Sequence, residues 1–295
     1  MSFTEKKIEV QFTYGTGPKG DGPPTGVTTA TITGCRVSMQ TNIIGGEGMA
    51  QCNGRIYGMG LSLMNQLSRV GKMPAVWRDN VMTLKAGDDV VGMSQIFQGT
   101  VIMAFPDMQS APEVSFMVGA ISGGLEQLKP IPSSSYNSNS VDVAVILGNL
   151  AQQMKVKFEN NGVSKILSYP HFKGSARNQA LDAVKQADIE WNGIENGILA
   201  IWPKGGTRGG EIPLINPGSG MIGYPTYTEN GIFVKCLFNP SIRFGQIVQV
   251  ESDIKPANGQ WKVINLIHNT ESKIPGGHWN TEMQLVLPEA FGVSH

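Results

Sequence analysis

Two stretches near the C-terminal end decide the fold: Gly259-Gln260-Trp261-Lys262-Val263-Ile264-Asn265-Leu266-Ile267-His268 and Gly276-Gly277-His278-Trp279-Asn280-Thr281-Glu282-Met283-Gln284-Leu285-Val286-Leu287. Both read as β-strands, rich in β-branched and aromatic residues. The polar connection between them ends in Pro275-Gly276-Gly277, which breaks regular pairing and suits a loop. No catalytic constellation lies between the two tryptophans, so the region points to assembly and not to chemistry. Trp261 and Trp279 are expected on neighbouring strands, packed inward with Val263, Met283 and Leu285.

The same texture opens the chain. Ile8, Val10, Phe12 and Tyr14 alternate with Lys7, Glu9, Gln11 and Thr13, the period-two pattern of a sheet with one wet face. Residues 15–26 are rich in Gly and Pro but too short and irregular for a triple helix, and are expected to form a mobile hairpin tip. Further strands are expected at 26–33, 36–41, 50–57, 81–86, 95–104 and 113–120, each ended by Gly, Pro, Asn or Asp. Their number predicts a closed or nearly closed barrel. One short helix interrupts them, with Ser62 as N-cap, Leu63, Met64 and Leu67 on one face, and Gly71 beyond its end.

Composition shifts at residues 129–140, which read as a linker. Val143, Ile146, Leu147, Leu150 and Met154 then mark one buried helix face, opened by Ser140. A hairpin is expected around Asn160-Asn161-Gly162, then a second helix over 175–188 and strands at 189–191 and 198–202. Gly205-Gly206-Thr207-Arg208-Gly209-Gly210 reads as a second boundary. The expected fold is β-dominated α+β, with antiparallel β-barrel domains at 1–128 and 206–295 flanking a small α+β module at 141–205.

Composition excludes several classes. Among 295 residues, 23 Lys+Arg balance 23 Asp+Glu, and no long block of like charge marks a nucleic-acid-clinging or membrane-surface protein. Cys35, Cys52 and Cys236 are scattered and odd in number, which argues against a disulfide framework or a zinc site. The N-terminus runs directly into a strand without an apolar signal core, so synthesis and retention in a cytoplasm-like space are expected, without membrane insertion. Eleven of the 14 methionines lie in the first 117 residues, where they serve as adaptable core fillers or as a contact surface.

The chemistry-bearing patterns are missing. Lys19 and Lys204 do not sit in a P-loop, Gly218-Ser219-Gly220 lacks the spacing of a nucleophile elbow, and His171, His268, His278 and His295 stand singly. His268 and His278 could meet across a hairpin, and Asp88-Asp89 read as a solvated turn. No catalytic, cofactor-binding or metal-ligating residue is expected, and no cofactor. Two competing functions remain testable. A glycan-binding module would need Trp191, Trp202, Trp261 and Trp279 exposed in a row, and a hydrolase would need carboxylates converging in a cleft.

Several segments together resemble the baseplate hub proteins of contractile-tailed bacteriophages, the Mu-like and T-even-like hubs and the hub portion of type VI secretion spikes. The resemblance rests on residues 50–59 (Ala-Gln-Cys-Asn-Gly-Arg-Ile-Tyr-Gly-Met) with the helix after them and on Phe97-Gln98-Gly99-Thr100-Val101-Ile102. It continues in residues 156–163, in Gly220-Met221-Ile222-Gly223-Tyr224-Pro225, and in the block from Trp261 to Met283. It implies two barrels similar to the tail-tube fold and a homotrimer that adapts a hexameric tail tube to a trimeric central spike. Its implied partners are tail-tube or tube-initiator ring proteins, the spike and the tape-measure protein, with DNA in transit. Its implied place is the virion baseplate. It also implies that the chain is not an enzyme. A tail-tip or secretion-system hub differs only in the machine served.

Overall fold

The computed structural model describes residues 4–16, 26–68, 80–109 and 111–288. The chain divides into two compact units. Unit 1 comprises Met1–Asn42, Gln51–Ser122 and His268–Asn280, and unit 2 comprises Ile43–Ala50, Gly123–Ile267 and Thr281–His295.

Unit 1 is built on β1 (Lys7–Thr16), β2 (Gly26–Ile32), β3 (Val37–Ile43), β4 (Gln51–Tyr57), β5 (Val81–Asp88), β6 (Gly92–Asp107) and β7 (Ser115–Ile121). Their order is β3-β4-β7-β6-β5-β1-β2, and the end of a long C-terminal strand, β19 (Gly259–Ser272), lies beside β3. The alternation of the first strand sets the register. Val10 sits opposite Leu84 and Ile32, and Phe12 opposite Met82 and Ala30. Ile8, Val10, Phe12, Leu84, Phe97, Phe116 and Val118 are all buried, as are Met39, Met59, Met64 and Met82. These four methionines fill core space, whereas Met93 and Met108 are exposed.

Helix α1 (Leu61–Leu67) starts earlier than the hydroxyl of Ser62 suggested. Gly60 is the N-cap, its carbonyl accepting from the N–H groups of Leu63 and Met64 at 3.1 Å, and Ser62 falls inside the first turn. Gly71 and most of the Gly-Pro tip, residues 17–25, lie outside the described residues.

The expected barrels are corrected to open sheets: no closed barrel forms among the described residues. In unit 1, among the described residues, β2 bonds to β1 alone. Its Val27, Thr28 and Thr29 are exposed on both faces, so the strand offers no continuous apolar side with which to close.

Unit 2 contains α2 (Gly124–Leu128), β8 (Ser134–Ser135), β9 (Val141–Asp142), α3 (Val143–Met154), β10 (Lys157–Asn160), β11 (Ile166–Leu167), β12 (His171–Phe172), α4 (Ala176–Ala187), β13 (Ile189–Trp191) and β14 (Ile198–Pro203). It continues through β15 (Leu214–Ile215), β16 (Thr226–Thr228), β17 (Gly231–Leu237) and β18 (Ile247–Val250) into β19 and most of β20 (Trp279–Val286). The apolar face read from the sequence of α3 is buried as expected, against Ala176, Ala180, Ala183 and Ala187 of α4. Those small side chains let the two helices approach closely. Asp142 caps α3 by accepting from the Ala144 N–H at 2.8 Å, in place of Ser140, whose own N–H bonds to Ser138 Oγ.

The hairpin expected around residues 160–162 does not form. Asn160 turns the chain by exchanging bonds with Val163, after which β10 pairs in parallel with β14, and β11 pairs with β9. β14 is buried from Leu199 to Trp202 and satisfies β10 better than the exposed residues after the turn could. The stretch 129–140 carries β8, and the buried Gln179 of α4 donates to the carbonyl of Pro132 and accepts from Ser134 Oγ. The C-terminal strands of this unit form an open sheet in the order β16-β17-β20-β19, with β18 pairing β19 and β15 pairing β18.

Candidate assembly surfaces

Nothing among the described residues gathers three or more His, Cys, Asp or Glu side chains in a way that could hold a metal. His268 is buried, and His278 lies three strand positions away from it, beside Glu271, whose N–H bonds to the His278 carbonyl at 2.8 Å. Burial pushes the His268 imidazole down to about 4, so it is neutral at physiological pH. Asp88 and Asp89 form the solvated turn expected of them, Asp89 pairing with Lys7 at 2.6 Å. Cys52 and Cys236 are buried free thiols, each pushed up to about 12 by burial, which makes them inert.

The four tryptophans among the described residues divide three to one. Trp191, Trp202 and Trp261 are buried, and Trp261 donates to the carbonyl of Ala257 at 2.9 Å. Trp279 corrects the expectation of an inward side chain. It is partly buried at the start of β20, not fully enclosed, with the Lys6 ammonium 5.7 Å from its ring centre. Its parity matches Met283 and Leu285, but it stands at the strand end, past the buried stretch. An exposed aromatic row for glycans is therefore absent among these four residues.

Unit 2 holds a buried ionic network that the sequence reading missed. Arg208 grips Glu159 with a two-pronged fork, at 3.0 and 3.1 Å, and donates to Glu195 at 2.7 Å. The two carboxylates sharing this guanidinium are shifted oppositely. Burial raises Glu195, which lies deeper, whereas at Glu159 burial is outweighed by the bonds and charge of Arg208, which lower it. Next to them Lys262, almost fully buried, donates to Glu190 at 2.7 Å and to the Gly206 carbonyl at 2.6 Å, and Glu190 also accepts from Trp202 Nε1. The Gly-rich stretch 205–210 is thus clamped at Gly205, Gly206, Arg208 and Gly209. Gly245 completes the packing. Its φ of 79° and its approach to the Trp202 indole leave no room for a Cβ.

Two surfaces stand out by what they leave open. In unit 2, β16 is exposed at all three residues and, among the described residues, pairs only with β17, leaving a row of backbone groups on its other edge. Around it Ile222, Tyr224 (64% exposed), Tyr227 (57%) and Leu237 face solvent, and Glu229 is the only charge in the ribbon 222–230. The edge is short and preceded by Pro225, and what it leaves open is a brief row of backbone groups flanked by the exposed tyrosines.

In unit 1, the face opposite the core carries uncharged amides and hydroxyls in register. Thr31, Gln11, Thr83 and Gln98 form one row across β2, β1, β5 and β6. Asn53 and Gln40 begin another, continued by a bond from Gln40 to Asn269 at 2.9 Å and from Asn269 to Asn280 at 3.1 Å. Charges on this side are mostly neutralised, Lys85 by Glu9 at 2.8 Å, with Arg55 the exposed exception. A sheet that merely faced water would tolerate many more lysines and glutamates.

A family model described as Baseplate hub gp41 matches residues 61–275, well over half of the chain. No curated protein matches it. Among solved structures, the 43 kDa tail protein of prophage MuSo2 from Shewanella oneidensis aligns with a TM-score of 0.58 at 9% identity, covering 98% of both chains. The tail protein from Neisseria meningitidis MC58 aligns at 0.61 and 8% identity, covering 97% of this chain and 99% of that one. The E. coli c3393 protein, a type VI secretion component similar in structure to T4 bacteriophage tail proteins gp27 and gp5, aligns at 0.53 and 10% identity, covering 85% and 73%. At such identities the structures establish a shared fold, and the family match carries the rest: the chain belongs to the Baseplate hub gp41 family and has a structural role in a phage tail baseplate.

Proposed function

We propose that the chain is a homotrimeric symmetry adaptor that joins the hexameric tail tube, directly or through a tube-initiator ring, to the trimeric central spike. The sheet of unit 1 and the C-terminal sheet of unit 2 serve as its two tail-tube-like domains, so that three chains offer six similar surfaces to the tube. The observation that carries this reading is the ribbon at 222–230, whose open edge and exposed tyrosines suit contact with a neighbouring protein. The uncharged face of unit 1 supports a second part of the role. A wall past which tape-measure protein and DNA must move should hold few unpaired cations, because each phosphate neutralised releases counterions and strengthens retention.

The test is a Tyr224→Asp/Tyr227→Asp variant in phage particles. The chain should fold normally, since both side chains are exposed, and should drop out of the baseplate together with the spike. Normal incorporation of this variant would remove the ribbon from the assembly role.

A further inference from the structure

In unit 2 the small sheet β10-β14-β13 ends at β13, which among the described residues pairs with β14 alone. Register decides which of its backbone groups stay open. The Asn192 N–H bonds to the Ala200 carbonyl at 3.1 Å, so the bonded pairs fall there and two residues earlier, at Glu190 and Trp202. The backbones of Ile189 and Trp191 therefore turn to the outer side. There the Trp191 carbonyl accepts from the Gly46 N–H at 3.1 Å. The N–H and C=O of Ile189 have no such partner among the described residues, and Pro203, the residue opposite, has no N–H to offer.

This open edge borders a groove of about 360 Å³, lined by Ile189 and Trp191 with Leu181, Val184, Gly45 and Phe244. A Cβ at Gly45 would run into the Phe244 ring, so the loop presents backbone to the groove at that point. Trp191 is 2% exposed, yet its indole N–H has no acceptor among the described residues, an uncommon state for a buried polar group. Arg177 lies 5.5 Å from the ring centre and cannot supply one, since a guanidinium only donates. It donates instead to the carbonyls of Glu47 and Gly48 at 2.8 and 3.1 Å, which fixes the loop. The charges at the rim cancel, Lys185 with Glu47 at 2.6 Å, Asp188 with Lys204 at 2.8 Å and Glu190 with Lys262 at 2.7 Å. A polyanion finds no unpaired cation here, and a lipid tail offers no donor or acceptor at strand spacing. A polypeptide backbone offers both, and strand addition at an open edge is how extended peptides are held.

We infer that an extended, uncharged segment of another baseplate protein adds to β13 as a fourth strand of this sheet, pairing with Ile189, setting a carbonyl against Trp191 Nε1 and an apolar side chain among Leu181, Val184 and Phe244. The assignment rests on the baseplate role and is independent of the trimer reading. In baseplates released from phage, hydrogen exchange at the Ile189 amide should slow at least about tenfold relative to the free chain. In particles carrying Lys185→p-benzoylphenylalanine, at a rim position 55% exposed, irradiation should link residue 185 to a different protein. Trp191→Phe keeps the ring and removes the indole N–H. Added to the Lys185 variant, it should leave the circular dichroism spectrum unchanged and lower the yield of that link roughly fivefold. The exchange measurement uses the unaltered chain and decides the matter even where a variant fails to assemble. Exchange at Ile189 that is equal in the baseplate and the free chain would overturn the inference, as would a link to a second copy of this chain, and both would leave the adaptor reading standing. Absence of the unaltered chain from the particle would contradict the adaptor reading itself.

Discussion

Arg208 is the residue on which unit 2 depends most. Removing one partner of a buried, hydrogen-bonded ion network leaves the other charges desolvated, so Arg208→Ala should cost about 3–5 kcal/mol in urea unfolding. A loss under 1 kcal/mol would mean that water reaches Glu159 and Glu195. His268 makes unit 1 sensitive to acid. Its folded value of about 4 lies below the ordinary 6.5, so the unfolded chain binds the proton first and stability falls as pH drops from about 6.5 to 4. The difference corresponds to about 3 kcal/mol, and His268→Asn should flatten the pH profile in that window. Trp279→Ala, at a partly buried ring, should cost less than the roughly 3–5 kcal/mol of a fully buried tryptophan but clearly more than a surface substitution, measured by urea unfolding.

At the scale of elements, alternation and helical periodicity were legible wherever one face is buried. Ile8 to Tyr14 and Val143 to Met154 lie where their patterns put them. What could not be read was long-range pairing. Asn160-Asn161-Gly162 has the composition of a hairpin turn, yet the partner of β10 is β14, some forty residues away, and no local signal announces it. The ionic clamp was hidden for the same reason, because Glu159, Glu195 and Arg208 come from separate segments and meet only through the fold. The uncharged face of unit 1 likewise exists only once register aligns Thr31, Gln11, Thr83 and Gln98. Replacing Gln11, Thr83 and Gln98 by Lys should leave the fold intact and make duplex DNA retention steeper in salt, by about 0.9 in log–log slope for each new phosphate contact. The corresponding expectation in virions is slower genome ejection at low salt. An unchanged ejection rate would show that this face does not meet DNA.

For the whole molecule, the β-dominated class was readable from strand texture and turn spacing, and the family from the resemblance of particular segments, while closure was not. Whether a strand set closes depends on its edges. Among the described residues β2 and β16 are bonded on one side only, which period-two patterning does not encode. The same open edges are the reason to regard the chain as incomplete without neighbours. Native mass spectrometry of baseplates released from purified virions tests that most directly. The account predicts this 31.7 kDa chain in multiples of three, with a three-copy subcomplex near 95 kDa (3 × 31.7) that retains spike or tube partners. Absence of the chain from the particle, or its recovery only as a monomer, would contradict it.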